Sequence, residues 1–402
     1  MGELSANEQE AVERAAAEPM LDQVLAWSAV NSGSRNLPGL ERMAAILADA
    51  FSALPGHLRL VDAQPVETVD SAGRVGILDH GQNLHLKVRP EAPVQLLFTG
   101  HMDTVFGVDH AFQDSRWLDE GLLNGPGVAD MKGGLAVLLA ALKAVEASEA
   151  ASRIGYDVII NSDEEVGSLG SAALIAEAAA GKIAALTYEP SALPDGTLAG
   201  ARPGSGNYSL VVRGRSAHAG RNPEDGRNAL VAAADLALRL DGLKRDGLTV
   251  NPARIEGGGP SNVVPDLAVL RVNLRPATPQ IEAQAKREID DAVGAVKSER
   301  DVAIDVHGGF GRPPKPMTAE MENLFALVKA AGSDLGQGIG WRSTGGVCDG
   351  NNIAACGVPV VDTMGVRGGK IHSMEEYLIT ESLGERAALS ALTILRIAEG
   401  RL

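Results

Sequence analysis

Residues 156–171 are YDVIINSDEEVGSLGS, an apolar run that ends in a loop with two adjacent glutamates, Glu164 and Glu165. A short apolar, β-branched run bounded by polar and glycine residues is typical of a buried strand. Two carboxylates placed side by side at the end of such a strand repel each other unless a positive charge neutralises one of them. This stretch therefore predicts a buried strand that carries an acidic site at its carboxyl end.

The same pattern extends in both directions along the chain, from residue 7 to about residue 200. Strands are predicted at VQLLFTG (94–100) and AALTYEP (184–190), and helices at GGLAVLLAALKAV (133–145) and SAALIAEAAA (171–180). Apolar runs that alternate with helical patterns indicate a sheet whose connections are helices. We therefore predict an α/β fold, with a mixed sheet flanked by helices.

The pattern changes after Arg202. Three strands are predicted, at GNYSLVVRGRSAHAG (206–220), VPDLAVLRVNLRP (264–276) and VAIDVHGGF (302–310), with helices at 226–240 and about 280–298. This order indicates a small α+β domain with an open sheet. The α/β pattern returns after GRPPKP (311–316). The predicted organisation is a catalytic domain, residues 1–202 and 313–402, interrupted by a smaller α+β domain, residues 203–312.

Composition excludes several classes of protein. The chain has 402 residues, 45% of them hydrophobic, and a formal net charge of −16. An acidic protein rarely presents the basic face needed to bind nucleic acid or an anionic membrane. Two cysteines are too few for a disulfide framework, and the first twenty residues, MGELSANEQEAVERAAAEPM, do not resemble a signal peptide. A cytoplasmic location is expected; a periplasmic one stays open if a leader has been removed.

Other chemistry-bearing residues also follow predicted strands. His101 and Asp103 follow QLLFTG, Glu189 follows AALTY, and His372 follows PVVDTMG and a glycine-rich turn. Asp130 precedes a long helix. Singly, each has a commoner structural explanation, such as a helix N-cap for an aspartate or a solvated loop for paired glutamates. Loops at the carboxyl ends of an open α/β sheet converge on one crevice, so the joint pattern favours a metal site.

The charges in this set suit two divalent ions. Histidine and carboxylate ligands fit zinc, and three carboxylates leave one positive charge against two dications, which a bound hydroxide can offset. Such a site activates water between ions ~3.5–4 Å apart. The residues therefore predict a dinuclear hydrolytic centre.

Six motifs carry a family resemblance. They are GHMDTV (100–105), GVADMKGG (127–134), SDEEVGS (162–168), YEPS (188–191), GRSAHAG (214–220) and IHSMEEY (371–377). In this order they resemble the zinc-dependent family of glutamate carboxypeptidase, acetylornithine deacetylase, succinyl-diaminopimelate desuccinylase and aminoacylase. The spacing around GHMDTVF and the His372 motif looks closest to the glutamate carboxypeptidase branch.

The resemblance implies a set of metal ligands. His101 and Glu189 would bind one Zn²⁺, Glu165 and His372 would bind the other, and Asp130 would bridge both. Co²⁺ or Mn²⁺ are expected substitutes.

The resemblance also implies catalytic residues. Glu164 would be the general base that takes a proton from the metal-bound water. Asp103 would accept the N–H of the His101 imidazole and fix its tautomer. His218, in the inserted domain, resembles the histidine that polarises the scissile carbonyl, often from the partner subunit. Asn262 resembles a substrate-contacting amide.

Two further residues are assigned to substrate. Arg275, at a strand end, could pair with a substrate carboxylate. Gly346 lies in TGGVCDGNN (344–352), which resembles a glycine-rich substrate loop in which relatives carry Ser or Thr in place of Cys348. Because Cys348 differs from the family pattern, the resemblance does not assign the pocket for the substrate's side chain.

The resulting prediction is a dinuclear zinc hydrolase. It would cleave the amide bond of an N-acyl amino acid or a C-terminal amino acid, as a homodimer formed through the inserted lid domain, with no nucleic-acid or membrane partner. The alternatives are an N-acyl-amino-acid deacylase or a dipeptidase of the same family. A catalytically silent metal-binding protein is the alternative from another class.

Overall fold

The computed structural model describes residues 4–402; residues 1–3, the start of the predicted segment 1–202, lie outside the described residues. The helices are α1 (Ala6–Ala17), α2 (Met20–Ser28), α3 (Leu37–Phe51), α4 (Gly133–Glu146), α5 (Ala172–Ala179), α6 (Ala229–Asp241), α7 (Pro279–Arg300), α8 (Ala319–Asp334), α9 (Asp349–Ala355) and α10 (Ser382–Ala398). Among the described residues, no helix combines the length and apolar character that a membrane-crossing segment needs.

The strands are β1 (His57–Val61), β2 (Val66–Val69), β3 (Val75–Leu78), β4 (Asn83–Val88), β5 (Val94–His101), β6 (Arg116–Asp119), β7 (Leu122–Asn124), β8 (Ile154–Asn161), β9 (Ala184–Thr187), β10 (Leu198–Ala199), β11 (Ser205–Arg213), β12 (Leu248–Gly257), β13 (Leu267–Pro276), β14 (Ala303–Arg312), β15 (Trp341–Arg342), β16 (Val360–Val361), β17 (Gly368–Gly369) and β18 (Tyr377–Ile379).

The central sheet has six strands in the order β1-β4-β8-β5-β9-β16. Strands β8, β5, β9 and β16 run parallel, while β1 and β4 are antiparallel to their neighbours. Helices cover both faces, so alternate side chains of one strand enter different cores. On β5, for example, Phe98 joins the core that includes α4 and α10, and Leu97 joins the core of α5 and α9. The predicted α/β fold with a mixed central sheet is confirmed.

A smaller α+β unit interrupts this fold. Its antiparallel sheet has the order β12-β13-β11-β14, and α6 and α7 cover one face. Three of its strands and both helices match the prediction. The fourth strand, β12, was not predicted, because Pro252 and the glycine at its end are uncommon in strands. β12 is an edge strand, where a proline removes no needed ladder hydrogen bond.

The chain enters and leaves this unit side by side. Arg202 and Lys315 exchange two backbone hydrogen bonds, of 2.9 and 3.0 Å. The side chains of both residues pair with Asp362, which directly follows β16. The two connections are therefore joined to each other and to the edge of the central sheet.

A hairpin from the first part of the chain also contacts the smaller unit. Strands β2 and β3 pair with each other, and Val69 packs against Val211 and Val269 on the sheet face opposite the helices. Arg271 donates to the backbone oxygen of Val69 at 2.7 Å. The other half of that sheet face, here called the open half, includes Asn207, Asn273 and Arg275, which line a cavity together with Glu165.

Candidate metal centre

Three neighbouring parallel strands deliver acidic and imidazole side chains to one edge of the central sheet. His101 is the last residue of β5, and its register partner Asn161 is the last residue of β8. Glu164 and Glu165 form a short 3-10 turn just after β8, and Glu189 lies two residues beyond β9. Because β8, β5 and β9 are adjacent and parallel, their carboxyl ends meet in one place.

Two other loops complete the cluster. Asp130 lies in the segment Val128–Lys132 before α4, and a cis peptide joins it to Met131. The Glu376 carboxylate accepts the backbone N–H groups of Ala129 and Asp130, at 3.0 and 3.1 Å, and so holds this segment in position. Glu376 belongs to the IHSMEEY motif, in which only His372 has a predicted role.

His372 enters from the opposite side. It lies between β17 and β18, whose sheet continues through β7 and β6, and its backbone is in the left-handed region at φ 62°. A non-glycine residue in this region is uncommon and occurs more often at functional sites. The side chain is half-exposed, unlike the others in the cluster.

The acid–histidine cluster, His101, Asp130, Glu165, Glu189 and His372, has two halves joined by Asp130. One Asp130 oxygen lies 3.1 Å from Nε2 of His101, and the other lies 3.3 Å from Nε2 of His372. Glu189 lies 3.7 Å from Nε2 of His101, and Glu165 lies 3.0 Å from Nε2 of His372. The donor atoms of His101, Asp130 and Glu165 all lie within 4.8 Å of one another.

The pKa values show how strongly these groups perturb one another. Burial, followed by the charge of Asp130, raises the pKa of Glu165 to about 8. Hydrogen bonds to Asp130 and Glu165 raise the pKa of His372 to about 11. Burial also raises the pKa of Asp130, but hydrogen bonds from the two histidines outweigh it and lower the pKa. Buried carboxylates this close together are the arrangement that a divalent cation stabilises.

Asp103 contacts both His101 and the turn that carries Glu164 and Glu165. The Nδ1 atom of His101 lies 3.0 Å from the backbone oxygen of Asp103 and 3.4 Å from its carboxylate. The Asp103 carboxylate also accepts hydrogen bonds from the backbone N–H groups of Glu164 and Glu165, at 3.1 and 3.2 Å, and from the hydroxyl of Ser34 at 2.7 Å. It therefore holds the turn that carries both glutamates.

Glu164 is buried but does not belong to the contacts around Asp130. One of its carboxylate oxygens lies 2.7 Å from Nη2 of Arg312, which also donates to the Glu164 backbone oxygen and to Ser168. Burial raises the pKa of Glu164 to about 7, and Arg312 opposes that shift. Its carboxylate also comes within 4.8 Å of His101 and Glu189, so it borders one half of the cluster.

Two cavities open beside the cluster. One, of about 690 Å³, is lined by Asp130, Glu164, Glu189 and His372 together with the loop that contains Gly346. The other, of about 660 Å³, is lined by Glu165 and by the open half of the smaller sheet. A small amide or peptide substrate fits this amount of space.

The predicted substrate residues fall into two groups. Arg275 lines the second cavity and donates to the backbone oxygen of Gly345 at 2.9 Å, and Gly346 accepts from Arg202 at 3.2 Å. His218 and Asn262 line neither cavity; Ala219, next to His218, donates to the Asn262 backbone oxygen at 2.9 Å. Within a single chain, His218 and Asn262 are not brought to the cluster.

Arg312 has no predicted role, because GRPPKP predicts only where the second pattern ends. In the structure Arg312 is the last residue of β14 and lies against Glu164. An arginine at a strand end in an acidic protein was the available signal. The same signal had identified Arg275.

The comparisons with known proteins identify a family. Residues 97–396 match the model of peptidase family M20/M25/M40. Carboxypeptidase G2 of Pseudomonas sp. (strain RS-16) is 31% identical over 330 residues, 80% of this chain and 78% of that protein. Succinyl-diaminopimelate desuccinylase of Psychrobacter arcticus is 27% identical over 331 residues, 77% of this chain and 79% of that protein.

Solved structures share the fold. A tripeptidase from Staphylococcus aureus aligns with a TM-score of 0.72 at 24% identity, covering 98% of this chain and 99% of that one. A metallo-carboxypeptidase from Sulfolobus solfataricus aligns at 0.70 with 14% identity, covering 94% and 98%. The family match spans most of the chain and includes every residue of the acid–histidine cluster. The chain therefore belongs to peptidase family M20/M25/M40 and is a metal-dependent hydrolase of peptide or amide bonds.

Proposed function

We propose that the chain is a dinuclear zinc hydrolase that releases a C-terminal amino acid, or the amino acid of an N-acyl amino acid, by cleaving its amide bond. The observation that carries the proposal is the position of Asp130, whose two oxygens face the two histidines of the cluster. A carboxylate with one oxygen in each half of a site suits a pair of ions. His101 with Glu189 would hold one ion, and Glu165 with His372 the other.

The donor set fits zinc. Two imidazoles and three carboxylates offer nitrogen and oxygen ligands, and the Nδ1 atom of His101 is engaged by Asp103, which leaves Nε2 free to bind an ion. Two bound zinc ions supply Lewis acidity and make water nucleophilic at neutral pH. Co²⁺ or Mn²⁺ would fit the same ligands.

The chain's own groups then move the proton. Glu164, which borders the His101 half, would accept a proton from the attacking water and pass it to the leaving amine nitrogen. Arg312 would hold the Glu164 carboxylate in place from the other side. Asp103 would keep both glutamates on one turn through their backbone N–H groups.

The proposed substrate class rests on charge. Arg275 gives the second cavity a local cation in a protein of net charge −16, so a substrate carboxylate would be drawn there. The similarity to carboxypeptidase G2 favours a C-terminal amino acid with a free α-carboxylate. A deacylase or dipeptidase activity is the second candidate, which the similarity to a desuccinylase favours.

A substrate panel tests the function. N-acyl derivatives of glutamate, aspartate and neutral amino acids, together with dipeptides, are assayed with protein whose metal content is measured by elemental analysis. Hydrolysis of N-acyl amino acids with two metals bound supports the proposal. Two bound metals without turnover on any member would instead indicate a silent metal-binding protein.

The position of Asp130 between the two histidines leads to a prediction for metal binding. Asp130→Ala removes a ligand from both halves of the cluster, so we expect metal content to fall from two ions per chain to less than one. The exposed Asp119→Ala serves as the control and should keep both ions. Elemental analysis after dialysis measures this; an Asp130→Ala protein that retains two ions would contradict the bridging role.

We also propose that residues 203–312 form a lid through which two chains dimerise. Support comes from α6, where Val231 and Leu238 are 46% and 75% exposed and lie about two helical turns apart on the same face. The neighbouring strand β12 is an edge strand that pairs with β13 on one side and has a free edge on the other. Exposed apolar side chains next to a free strand edge favour a second copy of the same chain. His218 and Asn262 would then act at the partner's metal centre.

The dimer proposal predicts the effect of one substitution. Leu238→Glu places a charge in the proposed interface, and we expect the sedimentation coefficient to change from that of a dimer to that of a monomer, with loss of turnover. Ile77→Glu, at a residue 61% exposed on β3, is the matched control and should leave the dimer intact. A parent protein that sediments as a monomer at all concentrations would overturn the proposal.

A further inference from the structure

The open half of the smaller sheet presents a row of three asparagines. Asn251, Asn273 and Asn207 lie directly opposite one another on β12, β13 and β11. Residues paired in this way project from the same face of an antiparallel sheet. Asn273 and Asn207 line the cavity of about 660 Å³ that also includes Glu165, whereas Asn251 does not.

The central amide of this row, that of Asn273, is fully engaged. Its Nδ2 donates to Asn207 Oδ1 at 2.8 Å and to Ser205 Oγ and the Gly206 backbone oxygen, each at 3.2 Å. Its Oδ1 accepts from Nε of Arg275 at 3.2 Å. Asn273 therefore offers the cavity no free donor, and it fixes the groups on both sides of it.

This arrangement determines which way the Asn207 amide points. Because its oxygen accepts from Asn273, its Nδ2 turns away from Asn273, and that nitrogen makes no hydrogen bond to the described residues. Arg275 is held in a similar way, through Nε and Nη1, and its Nη2 has no acceptor among residues 4–402. The polar wall of the cavity thus includes two donors on either side of Asn273, Asn207 Nδ2 and Arg275 Nη2.

The two donors lie on opposite sides of Asn273. The amide of Asn273 and a hydrogen bond on each side of it separate Asn207 from Arg275. A ligand with two separate acceptor groups, such as an amino acid with a carboxylate or carboxamide side chain, would give each donor its own acceptor.

We propose that Asn207 is a specificity-determining residue that donates to the terminal oxygen of the substrate's side chain while Arg275 binds the α-carboxylate. This inference rests on the proposed function, whose site it extends. Asn207 is neutral, so its donor serves a carboxylate and a carboxamide alike. The expected preference is for glutamate-like and glutamine-like side chains together over apolar side chains of similar length.

The test compares one acyl group on glutamate, glutamine and norvaline. In Asn207→Ala we expect kcat/KM to fall about 10-fold for the first two substrates and to stay unchanged for norvaline, since one hydrogen bond is lost. Asn207→Asp keeps the acceptor for Asn273 but replaces the donor with a charge. It should reduce kcat/KM for glutamate about 100-fold and for glutamine far less, because like charges then meet.

Asn251→Ala is the matched control. Asn251 belongs to the same row on the same sheet face, but it does not line the cavity. The substitution should therefore leave kcat/KM for all three substrates at the parent values. Equal losses on all three substrates in Asn207→Ala, or equal losses for glutamate and glutamine in Asn207→Asp, would overturn the assignment.

A binding measurement separates this proposal from the proposed function. Calorimetry with free glutamate, glutamine and norvaline on the metal-loaded protein needs no turnover. If no N-acyl amino acid is hydrolysed, the proposed function fails; tighter binding of glutamine than norvaline, lost in Asn207→Ala, still supports the subsite. Equal binding of glutamine and norvaline by the parent protein would count against it.

Discussion

Replacing Glu164 with glutamine is expected to lower kcat by about 10²–10⁴-fold, the usual contribution of a positioned general base. The substitution keeps the shape of the side chain and its place beside Arg312, but the amide cannot accept a proton. Burial raises the pKa of the parent carboxyl to about 7, against the opposing charge of Arg312, and a base works best when its pKa lies near the operating pH. Steady-state kinetics on the best substrate of the panel measures the loss.

Metal content separates this outcome from simple damage to the site. Because Glu164 is not in the ligand set, elemental analysis of Glu164→Gln should still find two ions per chain. Glu375→Gln changes an exposed glutamate near His372 and should keep the parent kcat. A Glu164→Gln protein that turns over at the parent rate would show that another group takes the proton.

The second large effect is on stability. Asp362 is fully buried and pairs with two cations, with an oxygen 2.8 Å from Nε of Arg202 and 2.7 Å from Nζ of Lys315. Burial raises its pKa, but the charges of Arg202 and Lys315 outweigh this and lower the pKa to about 2, so the carboxylate is ionised at neutral pH. Asp362→Asn would leave two buried positive charges without a counter-charge.

We expect Asp362→Asn to lower the free energy of unfolding by ~3–5 kcal/mol, the usual cost of removing one partner from a buried ion pair. Asp305→Asn breaks the exposed pair with Arg213 and serves as the control, with an expected change of ~0–1 kcal/mol. Urea denaturation followed by circular dichroism compares the two. If Asp362→Asn unfolds at the same urea concentration as the control, the pairing at Asp362 contributes little to stability.

The sequence predicted the strand ends well because the signals are local. Alternation along YDVIINS and the loop after it identified a buried strand followed by Glu164 and Glu165, and in the structure both follow β8. β12 was missed because strand signals weaken where Pro252 and glycine occur and an edge strand buries few side chains.

Contacts between distant parts of the chain could not be predicted in this way. Arg312 and Glu164 lie 148 positions apart, and only the path of β14 out of the smaller sheet brings them together. The contacts of Asp103 also depend on tertiary structure. Its carboxylate accepts hydrogen bonds from the backbone N–H groups of Glu164 and Glu165, which lie 61 and 62 positions later in the chain. A motif records which side chain is present but not which distant donor it meets.

The sequence by itself determined the class of chemistry, because strand periodicity and the residues at strand ends are local properties that six motifs then tied to one family. Only the tertiary structure decided how those residues are arranged. It brought Asp130 between two histidines, set Arg312 against Glu164, and turned the Asn207 amide toward a cavity. Each arrangement depends on packing between segments far apart in the chain, which no short stretch of sequence specifies.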